Sequence, residues 1–113
     1  MKGGNWNDTG ISLKFLQELR QFCYENTMID KVILFGSRAR GDYRKTSDVD
    51  LAIFTNDASH QQQNVIQHSI NEMSTPLKID VLFFDRLTKV KLKSTILNEG
   101  VIMYEKGAGL REA

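Results

Sequence analysis

Two carboxylates, Asp48 and Asp50, stand two residues apart within the segment FGSRARGDYRKTSDVDLAIF, which runs from Phe35 to Phe54. On a strand that spacing projects both side chains from one face. Paired acids on one face suit a hard cation, because Mg²⁺ takes oxygen ligands, commonly one or two carboxylates completed by phosphate oxygens. Without a cation the two charges repel and raise each other's pKa. Upstream lie Gly36 and Ser37, with ten residues between Ser37 and Asp48. A glycine at a strand end lets backbone approach a ligand closely. A short helix over 37–41 would aim free N–H groups and its positive dipole end at an anion. Ser37 adds a hydroxyl donor, and Arg38, Arg40 and Arg44 add charge for phosphate oxygens. A further acid, Asp80, interrupts the apolar run IDVLFF over 79–84, where a charge needs a partner or a cation. Phosphates held by a strand–turn–helix beside a carboxylate metal site describe a nucleoside triphosphate site.

Each part alone is weak. An isolated D-x-D is most often the capped start of a strand, an isolated Gly-Ser after a strand means less, and Asp80 alone could be a strand-edge residue. The combination is what points to chemistry.

The elements that must position these residues are legible from periodicity. Ser12 can cap a helix over 12–26, whose apolar set is Phe15, Leu16, Leu19, Phe22 and Cys23. Lys31–Phe35 and Asp48–Phe54 read as strands, joined by a polar, glycine-bearing turn over 37–47. Asn56 and Asp57 can cap a helix over 58–73 that Pro76 closes, and Leu77–Phe84 reads as a third strand. A last helix over 86–98 ends at Gly100 before a short strand, Val101–Tyr104. Lys89–Lys93 alternates with period two, so helix and strand both remain open there. The expectation is a single α+β domain over 11–106, between a loose segment 1–10 and a tail 107–113.

The segment GSRARGDYRKTSDVDLAIF resembles the minimal nucleotidyltransferases of the DNA polymerase β-like superfamily: a Gly-Ser, about ten residues, a D-x-D, and a later acid on another strand. The helix before the Gly-Ser strand, the stretch Leu77–Leu82 and the closing Ile96–Tyr104 extend the likeness over most of the chain. It resembles in particular the small catalytic subunit of bacterial two-component nucleotidyltransferases, whose substrate-binding HEPN-type protein is a separate helical chain. The resemblance implies a small mixed sheet flanked by helices, as in the polymerase β palm. It implies that Gly36 and Ser37 grip phosphate, that Arg40 contacts it, and that Ser47 directly precedes the D-x-D as in many relatives. Asp48, Asp50 and Asp80 would hold two Mg²⁺ ions, with Asp80 able to accept the proton of the attacking hydroxyl. The implied activity is transfer of a nucleoside monophosphate, AMP by family habit from ATP, with release of pyrophosphate. The other reading is an antitoxin or binding module that covers a helical partner, with or without adenylylating it.

Other motifs fail. Gly36 to Gly41 has P-loop spacing, but Asp42 and Tyr43 stand where Lys and Ser or Thr belong, and no G-x-G-x-x-G exists. A sugar-nucleotide glycosyltransferase could use the D-x-D but leaves the Gly-Ser unexplained. His60 and His68 lack companions at metal spacing, and Lys89, Lys91 and Lys93 read first as a solvated face. Trp6 has no assignable role.

Length and charge bound the rest. At 113 residues there is room for one domain and none for a separate acceptor domain, so substrate choice is expected in another chain, in a homodimer or a heteromer. Fifteen basic against 14 acidic residues leave +1, which argues against a bulk nucleic-acid binder. The longest apolar runs are four residues, too short for a membrane span, and the N-terminus lacks an export signal. A single cysteine cannot form an internal disulfide, and the expected compartment is a reducing cytoplasm.

Overall fold

The computed structural model describes residues 6–107. Ser12 ends an extended segment, and its hydroxyl accepts the Phe15 N–H, opening helix α1, Leu13–Glu25. Strand β1, Ile29–Phe35, follows, then a single helical turn, α2, Ser37–Arg40. Strand β2 is Val49–Thr55 and helix α3 is His60–Asn71. Strand β3, Ile79–Phe83, runs into a 3₁₀ turn; helix α4, Val90–Glu99, and strand β4, Val101–Glu105, complete the chain.

The four strands form one mixed sheet in the order β3-β2-β1-β4. β1 is antiparallel to β2 and β4, whereas β2 and β3, joined through α3, are parallel. Alternation along the strands sorts side chains onto two faces. Val32, Leu34, Leu51, Ile53 and Met103 pack with Phe15, Leu16, Leu19 and Cys23 of α1 and Ile66 and Ile70 of α3. Ile33 and Ala52 turn the other way, toward Ile96 and Leu92 of α4, in a smaller cluster. This is the α+β architecture with a small mixed sheet expected from the sequence.

Several boundaries moved, each for a physical reason. Ser59, not Asn56 or Asp57, caps α3: its hydroxyl accepts the Gln62 N–H while the Gln62 side chain accepts the Ser59 N–H. Asn56 instead ties Thr27, Met28 and Asp30 to the end of β2. The ambiguous Lys89–Lys93 stretch is helical from Val90. There Leu92 and Ile96, four apart, face the sheet, while Val90 is 79% exposed.

Of the expected loose segment 1–10, residues 1–5 lie outside the described residues, as does 108–113 of the expected tail. Trp6–Thr9 is a 3₁₀ turn, and Thr9 is buried.

Candidate active site

The site begins where β1 stops. Phe35 is the last residue of β1 and pairs with Asp50 of β2, which in turn pairs with Asp80 of β3. One row across three strands therefore reads Phe35, Asp50, Asp80. It lies on the α4 side of the sheet, because Val49, Leu51 and Ile79 belong to the opposite core. Asp48 falls one residue before β2 begins, with partial burial. Asp80 lies on the strand next to Asp50 and on the same rung, while Asp48 precedes the strand.

The reason given for Asp80 needs correction. A charge in a buried strand would demand a partner, but β3 is an edge strand and the Asp80 side chain is 48% exposed. Strand register, not burial of Asp80, sets Asp80 beside Asp50.

Gly36 has a role sequence alone did not identify. Its φ of 79° lies in the region that side chains disfavour, and a Cβ there would collide with Asp50 Oδ2. The glycine turns the chain out of β1 into α2 and leaves the space that the Asp50 carboxylate fills. Ser37 follows as the first residue of α2, and the Gly36 carbonyl accepts the N–H groups of Ala39 and Arg40.

The arginines divide. Arg40 is exposed, its Nε 3.3 Å from Asp42 Oδ2 and its Nη1 4.0 Å from Glu99 Oε1. Arg38, expected to face phosphate, points the other way and is 2% exposed. Its guanidinium donates to the backbone carbonyls of Ser47 (3.1 Å), Thr9 (2.9 Å), Arg44 (3.4 Å) and Lys45 (3.1 Å), and it stacks on Tyr43. A planar fork of donors suits carbonyls arriving from two sides. Arg38 thus braces the 41–47 loop against the N-terminal 3₁₀ turn. Ser47 completes the brace: its hydroxyl accepts the Arg44 N–H at 2.8 Å. The backbone of Arg44, through both groups, helps close the loop.

Electrostatics single out Asp50. Burial, then the charges of Asp80 and Asp48, hold its carboxyl above its ordinary pKa, opposed by Arg40 and Lys78. Lys78, which the sequence reading passed over, lies with its Nζ 3.7 Å from Asp80 Oδ1. Its position directly before β3 and two residues from an acid was the signal available.

Among the described residues no three His, Cys, Asp or Glu side chains form a ready-made cation cage. The donor chemistry nevertheless fits a hard divalent ion. Asp50 and Asp80 are oxygen donors at one rung, and burial together with the neighbouring acids raises the proton affinity of Asp50, a cost that a cation would relieve. An ion completed by phosphate and water oxygens needs no all-protein cage.

Other candidates fall away from this row. Cys23 is fully buried in the core, its thiol pushed up to about 12 by burial. A groove of about 560 Å³ lined by Gln17, Gln21, Tyr24, Thr27 and Tyr104 contains none of the site residues.

A mixed sheet that delivers a glycine-led turn and two acids on adjacent strands defines the class of nucleotidyltransferases built on the polymerase β palm. Residues 17–108 match the model of the polymerase beta nucleotidyltransferase family, and the chain belongs to that family: it is a nucleotidyltransferase. It is 36% identical over 73 residues to "Putative protein adenylyltransferase MJ0141" of Methanocaldococcus jannaschii, an alignment covering 63% of this chain and 71% of that one. Among solved structures, it is similar to a toxin–antitoxin crystallised with AMP-PNP, with a TM-score of 0.60 at 16% identity, covering 93% of this chain and 77% of that one. It also resembles a "putative nucleotidyltransferase from Sulfolobus solfataricus", with a TM-score of 0.58 at 20% identity and 96% of both chains covered. At these identities the structural likeness concerns the fold.

Proposed function

We propose that this nucleotidyltransferase transfers AMP from ATP to a hydroxyl on a separate protein chain. The observation that carries the reading is the row formed by Asp50 and Asp80 beside the Gly36 turn. It sets anionic cation ligands next to a turn suited to phosphate. Its adenylyl and protein specificity rest on the relative described as a protein adenylyltransferase. The separate partner is supported by the toxin–antitoxin neighbours.

In this reading the triphosphate lies along Gly36 and Ser37, with Arg40 swinging from its exposed pairs with Asp42 and Glu99 to phosphate oxygens. Asp48, Asp50 and Asp80 would hold Mg²⁺, two ions by analogy with the family, which when bound supply charge neutralisation of the triphosphate and acidification of the acceptor hydroxyl. The acceptor oxygen forms a bond to the α-phosphorus, the bond from that phosphorus to the α,β-bridging oxygen breaks, and pyrophosphate leaves. Asp80, half exposed at the sheet edge, would take the hydroxyl proton. The Arg38 brace holds the loop that ends in Ser47 and Asp48, and so sets where the first acid stands.

No described helix is long and apolar enough to cross a membrane. A cytoplasmic setting, where ATP is supplied, belongs to the same proposal. A second reading follows from the toxin–antitoxin neighbours: the chain neutralises a helical partner of the HEPN type by binding it, modification being additional.

The test is incubation of the full chain and its co-purifying partner with ATP labelled at either the α- or the γ-phosphorus. Label from the α position on a protein hydroxyl, and none from γ, is the expected result. Label appearing only on a small molecule would overturn the protein acceptor. No transfer from any nucleoside triphosphate, with a tight complex still formed, would leave neutralisation by binding.

A further inference from the structure

Lys78 occupies an unusual position relative to the acids. β2 and β3 run parallel and in phase, with Val49 paired to Ile79 and Asp50 to Asp80. The ladder extends one residue back, because the Val49 N–H donates to the Lys78 carbonyl at 2.8 Å. Asp48 and Lys78 therefore stand at corresponding positions just before their strands. Two rows result, Asp48 with Lys78 and Asp50 with Asp80, so three carboxylates share their patch with one tethered ammonium. Its Nζ lies 3.7 Å from Asp80 Oδ1, and its positive charge opposes the raised proton affinity of Asp50. The other cation acting on Asp50, Arg40, is shared with Asp42 and Glu99.

We infer that Lys78 is a built-in counter-ion that competes with divalent cations for the Asp50–Asp80 pair until a triphosphate arrives. The inference rests on the carboxylate site proposed above and adds to it an order of events. Its backbone is pinned by the hydrogen bond to Val49, so the ammonium cannot diffuse away, yet its stem is flexible and its side chain is 71% exposed. A solvent-exposed pair of this kind is weak and can be displaced. A divalent ion alone must displace the ammonium and gains only carboxylate oxygens. An ion arriving with a triphosphate brings additional phosphate oxygens, and the displaced ammonium acquires the polyphosphate as a new partner. Lys78 is thus a positioning residue that couples cation occupancy to nucleotide.

The test measures free Mn²⁺ by electron paramagnetic resonance, without nucleotide, for the full-length wild type, Lys78→Gln, Lys78→Arg and Asp50→Asn at one ionic strength. Lys78→Gln is expected to bind Mn²⁺ about threefold to fivefold more tightly than wild type. Lys78→Arg should stay near wild type, and Asp50→Asn should bind about tenfold more weakly. With a non-hydrolysable ATP analogue present, the advantage of Lys78→Gln should disappear. Unchanged or weaker binding by Lys78→Gln, with Asp50→Asn impaired, overturns the role of Lys78 and leaves the carboxylate site standing. Wild-type binding by Asp50→Asn overturns the carboxylate site itself and this inference with it. Exposure of Lys78 keeps folding out of the comparison.

Discussion

Asp50 and Asp80 occupy the same rung of the parallel β2–β3 ladder, so two acids thirty residues apart in sequence become side-by-side neighbours on one sheet face. Adjacent strands in such a ladder lie about 4.8 Å apart. Like charges at that spacing repel, and the partial burial of Asp50 adds to the cost of ionising it.

Replacing Asp50 by Asn should reduce nucleotidyl transfer by about 100-fold or more, because the substituted amide keeps the shape but not the charge. Nucleotide turnover compared with circular dichroism of the same samples separates chemistry from folding. A well-folded variant with near-wild-type transfer would remove Asp50 from the site.

The same residue sets a pH dependence of stability in the cation-free protein. Its folded pKa is raised, so the folded state holds the proton more tightly than the unfolded chain. Stability from this group is present below the unfolded value, about 3.9, and is lost as pH rises through the raised folded value. Urea unfolding in chelator across this range should show Asp50→Asn gaining stability relative to wild type as pH rises. A constant difference would contradict the shift.

Gly36→Ala and Gly41→Ala form a matched pair. Both glycines have positive φ, 79° and 93°, but a Cβ at Gly41 meets nothing within 4 Å, whereas one at Gly36 strikes Asp50. Gly41→Ala should cost about 1 kcal/mol of backbone strain. Gly36→Ala should cost visibly more in thermal unfolding and lose transfer as well, since relief of the clash displaces Asp50.

Arg38→Lys should destabilise the fold by about 3 kcal/mol and loosen the 41–47 loop, because one ammonium cannot satisfy carbonyls on both sides of a buried fork. Hydrogen exchange over that loop is the direct measurement. Arg40→Ala should do the opposite: a stability change under about 1 kcal/mol, since its ion pairs are exposed, with nucleotide KM raised about tenfold. Equal stability losses in the two variants would contradict the division of labour.

Cys23 should resist thiol reagents at pH 8 in the folded protein and react only on unfolding, because burial pushes its pKa up to about 12. Cys23→Ala should retain transfer. Rapid labelling of native protein would show that the α1 face is less closed than described.

What the sequence determined by itself was the identity of the chemistry and most of its frame. Gly36, Ser37, Asp48 and Asp50 lie within one local stretch, and local spacing survives any fold that keeps β1, the turn and β2. Apolar periodicity likewise disclosed α1 and the four strands, because burial on one face imposes its period directly on the residues. Tertiary structure decided what depends on elements distant in sequence. The partnership of Asp50 with Asp80, and of both with Lys78, exists only through the parallel register of β2 and β3, which no local pattern encodes. The fate of the arginines was decided the same way. Arg38 and Arg40 are two residues apart and chemically alike, yet one faces the carbonyls of Thr9, Lys45 and Ser47 while the other remains exposed near Asp42 and Glu99. A sequence records that a guanidinium is present; only packing decides which acceptors are left for it.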